Sequence, residues 1–113
     1  MAQSANDKPL GPGARVELLF MRMIPLRDGT RLAADVFLPR ERSGGVPAIV
    51  EFTPYSRDTG SPEGVRFAEE RFAFVSVDCR GRGDSEGEFQ GHHAGEADDG
   101  HDLVEWVAAQ PWC

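Results

Sequence analysis

The sequence holds only two cysteines, Cys79 and Cys113, and no lysine or arginine after Arg82. Two cysteines cannot frame a secreted disulfide scaffold, and Cys113 is the last residue, where nothing fixes its geometry, so no structural bridge is expected. No apolar run approaches the roughly 20 residues of a membrane helix. Met1 to Leu10 lacks the apolar core of a signal peptide, so a cytoplasmic location and no membrane partner are the expectation. Internal repeats and low-complexity tracts are absent as well. What remains, 113 residues with 40% hydrophobic and 27% charged side chains, is an ordinary globular composition, too apolar for intrinsic disorder.

The missing cations matter because of where they are missing. Residues 1–82 carry all 12 basic and 11 acidic groups, whereas residues 83–113 carry 8 acidic groups and none of the other sign. Such a surface repels phosphate backbones, so nucleic acid is not an expected partner. The simplest reading of the segment is a solvated acidic face.

Residues 1–15, rich in Gly, Pro and small polar side chains, read as a flexible tail, and residues 16–113 as one structured region. Val16 to Leu26 and Thr30 to Leu38 are apolar runs joined by Asp28-Gly29, a positive-φ turn signal, and predict an antiparallel hairpin. Ala48 to Phe52 predicts a short strand covered on both faces. Ser61-Pro62-Glu63 supplies a cap, a first-turn proline and a favourable charge for a helix over Pro62 to Glu70. Phe72 to Val77 predicts a second buried strand, making a parallel strand, helix, strand unit. A final helix starts near Ala97, groups Leu103, Val104, Trp106, Val107 and Ala108 on one side, and stops at Pro111. The expected class is α/β, and Pro111-Trp112-Cys113 looks like the connector to a further strand.

The stretch Asp78 to Gly87 (DCRGRGDSEG) follows the second buried strand and contains Gly83-x-Ser85-x-Gly87, the pattern of a serine nucleophile elbow. An elbow needs its serine directly between strand and helix, whereas Ser85 lies eight residues beyond Val77 and no helix start follows it. Gly81, Gly83 and Gly87 match a dinucleotide loop only weakly, because Glu86 and Glu88 would face the pyrophosphate. Arg82-Gly83-Asp84 spells an adhesion tripeptide that chance explains. The favoured reading is a tight loop in which Asp78, Asp84 and Ser85 bond backbone amides. Cys79 reads as a small packing residue rather than a thiol nucleophile. His92, His93 and His101 lie near Glu96, Asp98, Asp99 and Asp102, but their spacing matches no strong ligand pattern, so no metal is expected. Thr53-Pro54-Tyr55-Ser56 follows the third strand, where the corresponding loop of α/β-hydrolases gives a donor to the oxyanion hole. Tyr55, the single tyrosine, reads either as structural or as a phenol donor to a developing oxyanion.

Met23 to Pro39 (MIPLRDGTRLAADVFLP), Thr53-Pro54-Tyr55, Asp78 to Gly87, Glu96-Ala97-Asp98-Asp99-Gly100, Glu105-Trp106 and Gln110-Pro111-Trp112-Cys113 stand in an order that resembles the start of the cocaine esterase and X-prolyl dipeptidyl peptidase group, the CocE/NonD hydrolases. The resemblance covers about residues 17–113. It implies an α/β-hydrolase catalytic domain that cleaves ester or amide bonds through an acyl-enzyme with a Ser-Asp-His triad. It also implies that Tyr55 is the side-chain donor of the oxyanion hole, that no cofactor is needed, and that the substrate is a small-molecule ester or a peptide.

The same resemblance places the nucleophile on the strand after the Pro-Trp-Cys motif, so the triad Ser, Asp and His are expected outside these residues. The chain is then an amino-terminal piece of the catalytic domain, inactive alone, with its third strand left as an apolar sheet edge prone to aggregation. The alternative is a small non-catalytic α/β binding or interaction module.

Overall fold

The computed structural model describes residues 15–91 and 95–113. The region read as a tail therefore lies outside the described residues up to residue 14, as do His92 and His93.

Strands β1 (Val16–Pro25) and β2 (Arg31–Pro39) form the expected antiparallel hairpin. The Gly29 amide donates to the Leu26 carbonyl and the Leu26 amide to the Thr30 carbonyl, which leaves Gly29 at φ +89° and gives a three-residue loop. Asp28 Oδ1 accepts from the Thr30 amide and stiffens that loop. Strands β3 (Ala48–Thr53) and β4 (Ala73–Asp78) pair in parallel across helix α1 (Ser61–Glu69), and helix α2 (Glu96–Ala108) follows. The sheet order is β1-β2-β4-β3, because β4 also pairs antiparallel with β2.

Alternation along the central strands separates two layers. Leu32, Ala34, Val36 and Leu38 of β2 and Ala73, Val75 and Val77 of β4 face α2, whose Leu103 and Val107, with Trp112 beyond it, close the larger core. Burying each Leu or Val among them stabilises by about 1.5–3 kcal/mol. Phe37 and Phe74 face the other way and pack with Ala68 of α1, Phe67 lying stacked on Phe74 at 5.6 Å between centroids. Gly64 permits this approach, since a Cβ there would stand 2.5 Å from the Phe37 ring.

Three expectations need correction, and a fourth holds in part. Ser61 caps nothing: a single 3-10 turn over Arg57–Gly60 runs straight into α1, so Ser61 already has helical dihedrals and Gly60 occupies the cap position. β3 is only half-buried on each face, except Thr53, because it stands at the edge of the sheet. Val104 and Ala108 of α2 are exposed, since a 13-residue helix on a four-stranded sheet buries fully only the stripe of Asp99, Leu103 and Val107. Finally, the acidic groups after Arg82 are exposed or half-buried apart from Asp99, as a solvated face requires, but most of these carboxylates are paired rather than left to water alone. Asp84 pairs with Arg57, Glu86 with Arg31, Asp98 and Asp102 with Arg27, and Asp99 with Arg80. Folding brings the cations of the first 82 residues to the anions of the last 31, a pairing that local sequence does not display.

Candidate active site

The parallel pairing of Thr53 with Asp78 brings the loops that follow β3 and β4 together at one end of the sheet. This is the edge where open α/β sheets bind ligands.

The first loop carries Tyr55, which is 83% exposed. Its backbone amide donates to Thr53 Oγ1 at 3.0 Å, and the Cys79 amide donates to the Thr53 carbonyl, so the base of the loop is tied to its own strand and to the neighbouring loop. Tyr55 borders a groove of about 370 Å³ with Phe52, Cys79, Arg82, Phe89 and Glu96. The Arg82 guanidinium lies 3.9 Å from the centroid of the Phe89 ring, a cation-π contact that fixes one wall.

The second loop is held by glycines and by Asp78. Gly81, Gly83 and Gly87 all have positive φ. At Gly83 the requirement is doubled, because a Cβ there would collide with the Asp78 carboxylate. Ser85, the serine of the elbow-like pattern, has its hydroxyl fully engaged: Oγ donates to the Asp78 carbonyl at 2.6 Å and accepts from the Ala33 amide at 2.8 Å. A hydroxyl bonded in both senses to backbone is a structural pin, as the spacing from Val77 predicts. Asp78 and Ser85 bond as expected of a tight loop, although the Ser85 contact reaches β2 rather than staying within it. Asp84 departs from the expectation: its Oδ2 binds a guanidinium.

Cys79 is buried and unbridged, as is expected of a packing residue, while Cys113 is exposed. Burial, helped by Glu96, Asp78 and Asp99, pushes the Cys79 thiol up to about 11, so at neutral pH it is protonated and not a nucleophile. His101 is exposed on α2, and no cluster of three or more His, Cys, Asp or Glu side chains among the described residues could hold a metal ion. No helix among them is long and apolar enough to cross a membrane.

The residue that sequence reasoning missed is Arg57. It is buried with its side chain 7% exposed, on the α1-facing side of the sheet. The register sets Asp35 opposite Ser76, and alternation puts Asp78 on the same face. Nε of Arg57 donates to Asp35 Oδ1 at 2.9 Å, and Nη1 donates to Asp78 Oδ2 at 2.7 Å and to Asp84 Oδ2 at 2.8 Å. Its backbone amide donates to Asp78 Oδ1, and its carbonyl accepts from Ser76 Oγ. Burial opposes the charged guanidinium, but the hydrogen bonds to Asp84, Asp35 and Asp78 outweigh it and raise its pKa above the ordinary value. A signal was present in the sequence: two carboxylates in apolar strands, at Asp35 and Asp78, need a buried cation.

Comparison with known proteins agrees with this geometry. The family profile of X-Pro dipeptidyl-peptidase (S15 family) matches residues 28–113. The cocaine esterase of Rhodococcus sp. (strain MB1 Bresler) is 38% identical over 97 residues, which cover 80% of this chain and 17% of the esterase. A CocE/NonD family hydrolase from Staphylococcus aureus superposes with a TM-score of 0.74 at 23% identity, covering 84% of this chain and 21% of that one. A protein of Pseudomonas aeruginosa superposes over 98% of this chain and 36% of its own, with a TM-score of 0.74 at 26% identity. The chain thus spans about a fifth of the length of the esterase and of the staphylococcal hydrolase.

Proposed function

The chain belongs to the X-Pro dipeptidyl-peptidase (S15) family, and on that premise we propose that it builds the oxyanion-hole side of a serine hydrolase site for ester or amide bonds, acyl or X-prolyl. Tyr55 is the donor. Its phenol hydrogen-bonds the substrate carbonyl oxygen as the tetrahedral intermediate places negative charge there. The attacking Ser, with its Asp and His, comes from outside these 113 residues, and the acyl-enzyme forms on that serine.

The observation that carries the reading is the position of Tyr55, exposed at the carboxyl end of β3 on a loop braced on both sides, beside the groove. The engaged hydroxyl of Ser85 and the protonated thiol of Cys79 support placing the nucleophile elsewhere.

The test uses 4-nitrophenyl acetate and Gly-Pro-4-nitroanilide with the complete gene product that carries these residues. Tyr55→Phe is expected to lower kcat by about 10²–10³-fold with KM nearly unchanged. Residues 1–113 alone are expected to give no turnover above background. An unchanged kcat in Tyr55→Phe sinks the donor role; turnover by the isolated chain that Ser85→Ala or Cys79→Ala abolishes sinks the placement of the nucleophile.

A further inference from the structure

Tyr55 can serve as an oxyanion donor only if its loop points the phenol one way before the substrate arrives, and the loop has one strained joint. Ser56 has φ +118° and ψ 128°, a region that residues with a Cβ rarely adopt. Such a conformation is strained and persists only where its surroundings over-determine it.

The surroundings here converge on Arg57. Five hydrogen bonds hold this one residue: its amide to Asp78 Oδ1, its carbonyl from Ser76 Oγ, and its guanidinium to Asp35, Asp78 and Asp84. The partners belong to β2, to β4 and to the loop after β4, so the side chain is triangulated from three directions. The exposed ring of Phe20 lies 5.4 Å from the guanidinium carbon and adds a fourth side. Ser56 itself is trapped from beyond: its carbonyl accepts from both the Thr59 amide and Thr59 Oγ1, and its hydroxyl donates to Asp58. Neutralising one arginine takes one carboxylate, whereas three separate N–H directions in a plane are what fixing an orientation takes, and a lysine ammonium cannot supply them.

We propose that Arg57 is the positioning residue of the oxyanion donor: gripping Asp35, Asp78 and Asp84 at once, it holds Ser56 in its strained conformation and so sets the direction in which Tyr55 leaves the sheet. This deepens the reading of Tyr55 as donor and rests on it. Arg57 touches no substrate; it acts through the backbone of its neighbour.

In the complete gene product grown with 3-fluorotyrosine, the ¹⁹F resonance that Tyr55→Phe removes is that of Tyr55. The variants are Arg57→Lys, which keeps the charge and loses the fork, and Asp84→Asn, which takes the charge and one accepting oxygen from the partner that is 57% exposed and spares the buried pairs. The native resonance is expected away from its position in urea. Both variants are expected to move it toward that position while tryptophan fluorescence stays native. Should Arg57→Lys unfold the chain, Asp84→Asn decides. A native resonance already at the urea position, or one that Asp84→Asn leaves in place, overturns the proposal.

Activity of the complete gene product separates this idea from the one beneath it. Asp84→Asn is expected to lower kcat about ten- to a hundredfold at unchanged KM, the size of loss that a small misplacement of a catalytic group produces. In a Tyr55→Phe background the same change is expected to cost nothing further. A second, multiplicative loss there overturns positioning through Tyr55. If Tyr55→Phe alone leaves kcat intact, the donor reading fails, and the ¹⁹F shift still judges the hold of Arg57 on the loop.

Discussion

Arg57 and Arg27 each bind carboxylates from a distant part of the chain, one beneath the sheet edge and the other in water. Arg57 faces Asp35 and Asp78, all three nearly without exposure. Arg27 has a side chain 54% exposed and forks onto Asp102 while Asp98 stands 3.5 Å away. The chemistry is the same and the consequences differ. Out in water the pair exchanges one set of hydrogen bonds for another and contributes little. In the buried cluster every lone pair and N–H needs a partner, so the geometry carries positional information, and removing one member leaves a charge with nowhere to go.

The largest break in this contrast comes from Asp78→Ala. It strips the acceptor from the Arg57 amide, from Nη1 of the same residue and from the Asp84 amide at once. The expected loss is about 3–5 kcal/mol, the range for breaking a buried ion pair. Urea unfolding followed by tryptophan fluorescence checks it; a loss below 1 kcal/mol would place the cluster with the surface pairs.

Arg80→Met probes the middle of the range. Arg80 forks onto Asp99 at 2.9 and 3.0 Å, and its Nη1 reaches Thr30 and Asp28. The Asp99 hydrogen bonds, opposed by burial, raise the Arg80 pKa. Asp99 has a side chain 5% exposed, so the single variant strands a carboxylate and is expected to cost about 1–3 kcal/mol. Arg80→Met with Asp99→Leu removes both charges and is expected to recover most of that loss. If the double variant is as unstable as the single, the pair contributes attraction of its own and the contrast with Arg27 is one of degree.

The parts of this fold legible in the sequence were those that neighbours in sequence decide. The Asp28-Gly29 turn, the apolar strands and the Pro111 stop are local signals, and they placed the strands and helices within a residue or two. The antiparallel pairing of β2 with β4 was not legible, because it joins residues some 40 apart through shape alone. Arg57 was hidden for the same reason: Asp35 and Asp78 in apolar strands call for a buried cation, but beside Asp58 Arg57 reads as a surface charge, and only the stacking of Asp35, Ser76 and Asp78 on one face shows which cation it is. Tyr55 could be singled out as the lone tyrosine after β3, but nothing local to it discloses the strained Ser56 that aims it.

The smallest expected effect lies at Arg27, and pH isolates it. Hydrogen bonds from the Arg27 side chain and backbone, in that order, hold the Asp102 carboxyl down at about 2, from an ordinary value of 3.8. A depressed carboxyl stabilises the fold at pH values above its unfolded value, and that contribution is lost as pH falls through the folded value. The window is therefore about pH 4 down to pH 2. Asp102→Asn keeps an acceptor for the Arg27 amide but cannot titrate, so its stability relative to the native chain should be nearly flat above pH 4 and rise toward equality or beyond as the native chain protonates. Asp28 and Glu86 are also held low, by Thr30 and Arg31 first, but they titrate in both chains and cancel in the difference. A difference that stays constant from pH 5 to pH 2 would mean that Arg27 does not grip Asp102 in solution. A difference at neutral pH as large as that of Asp78→Ala would instead mean that exposure does not separate the two arginines.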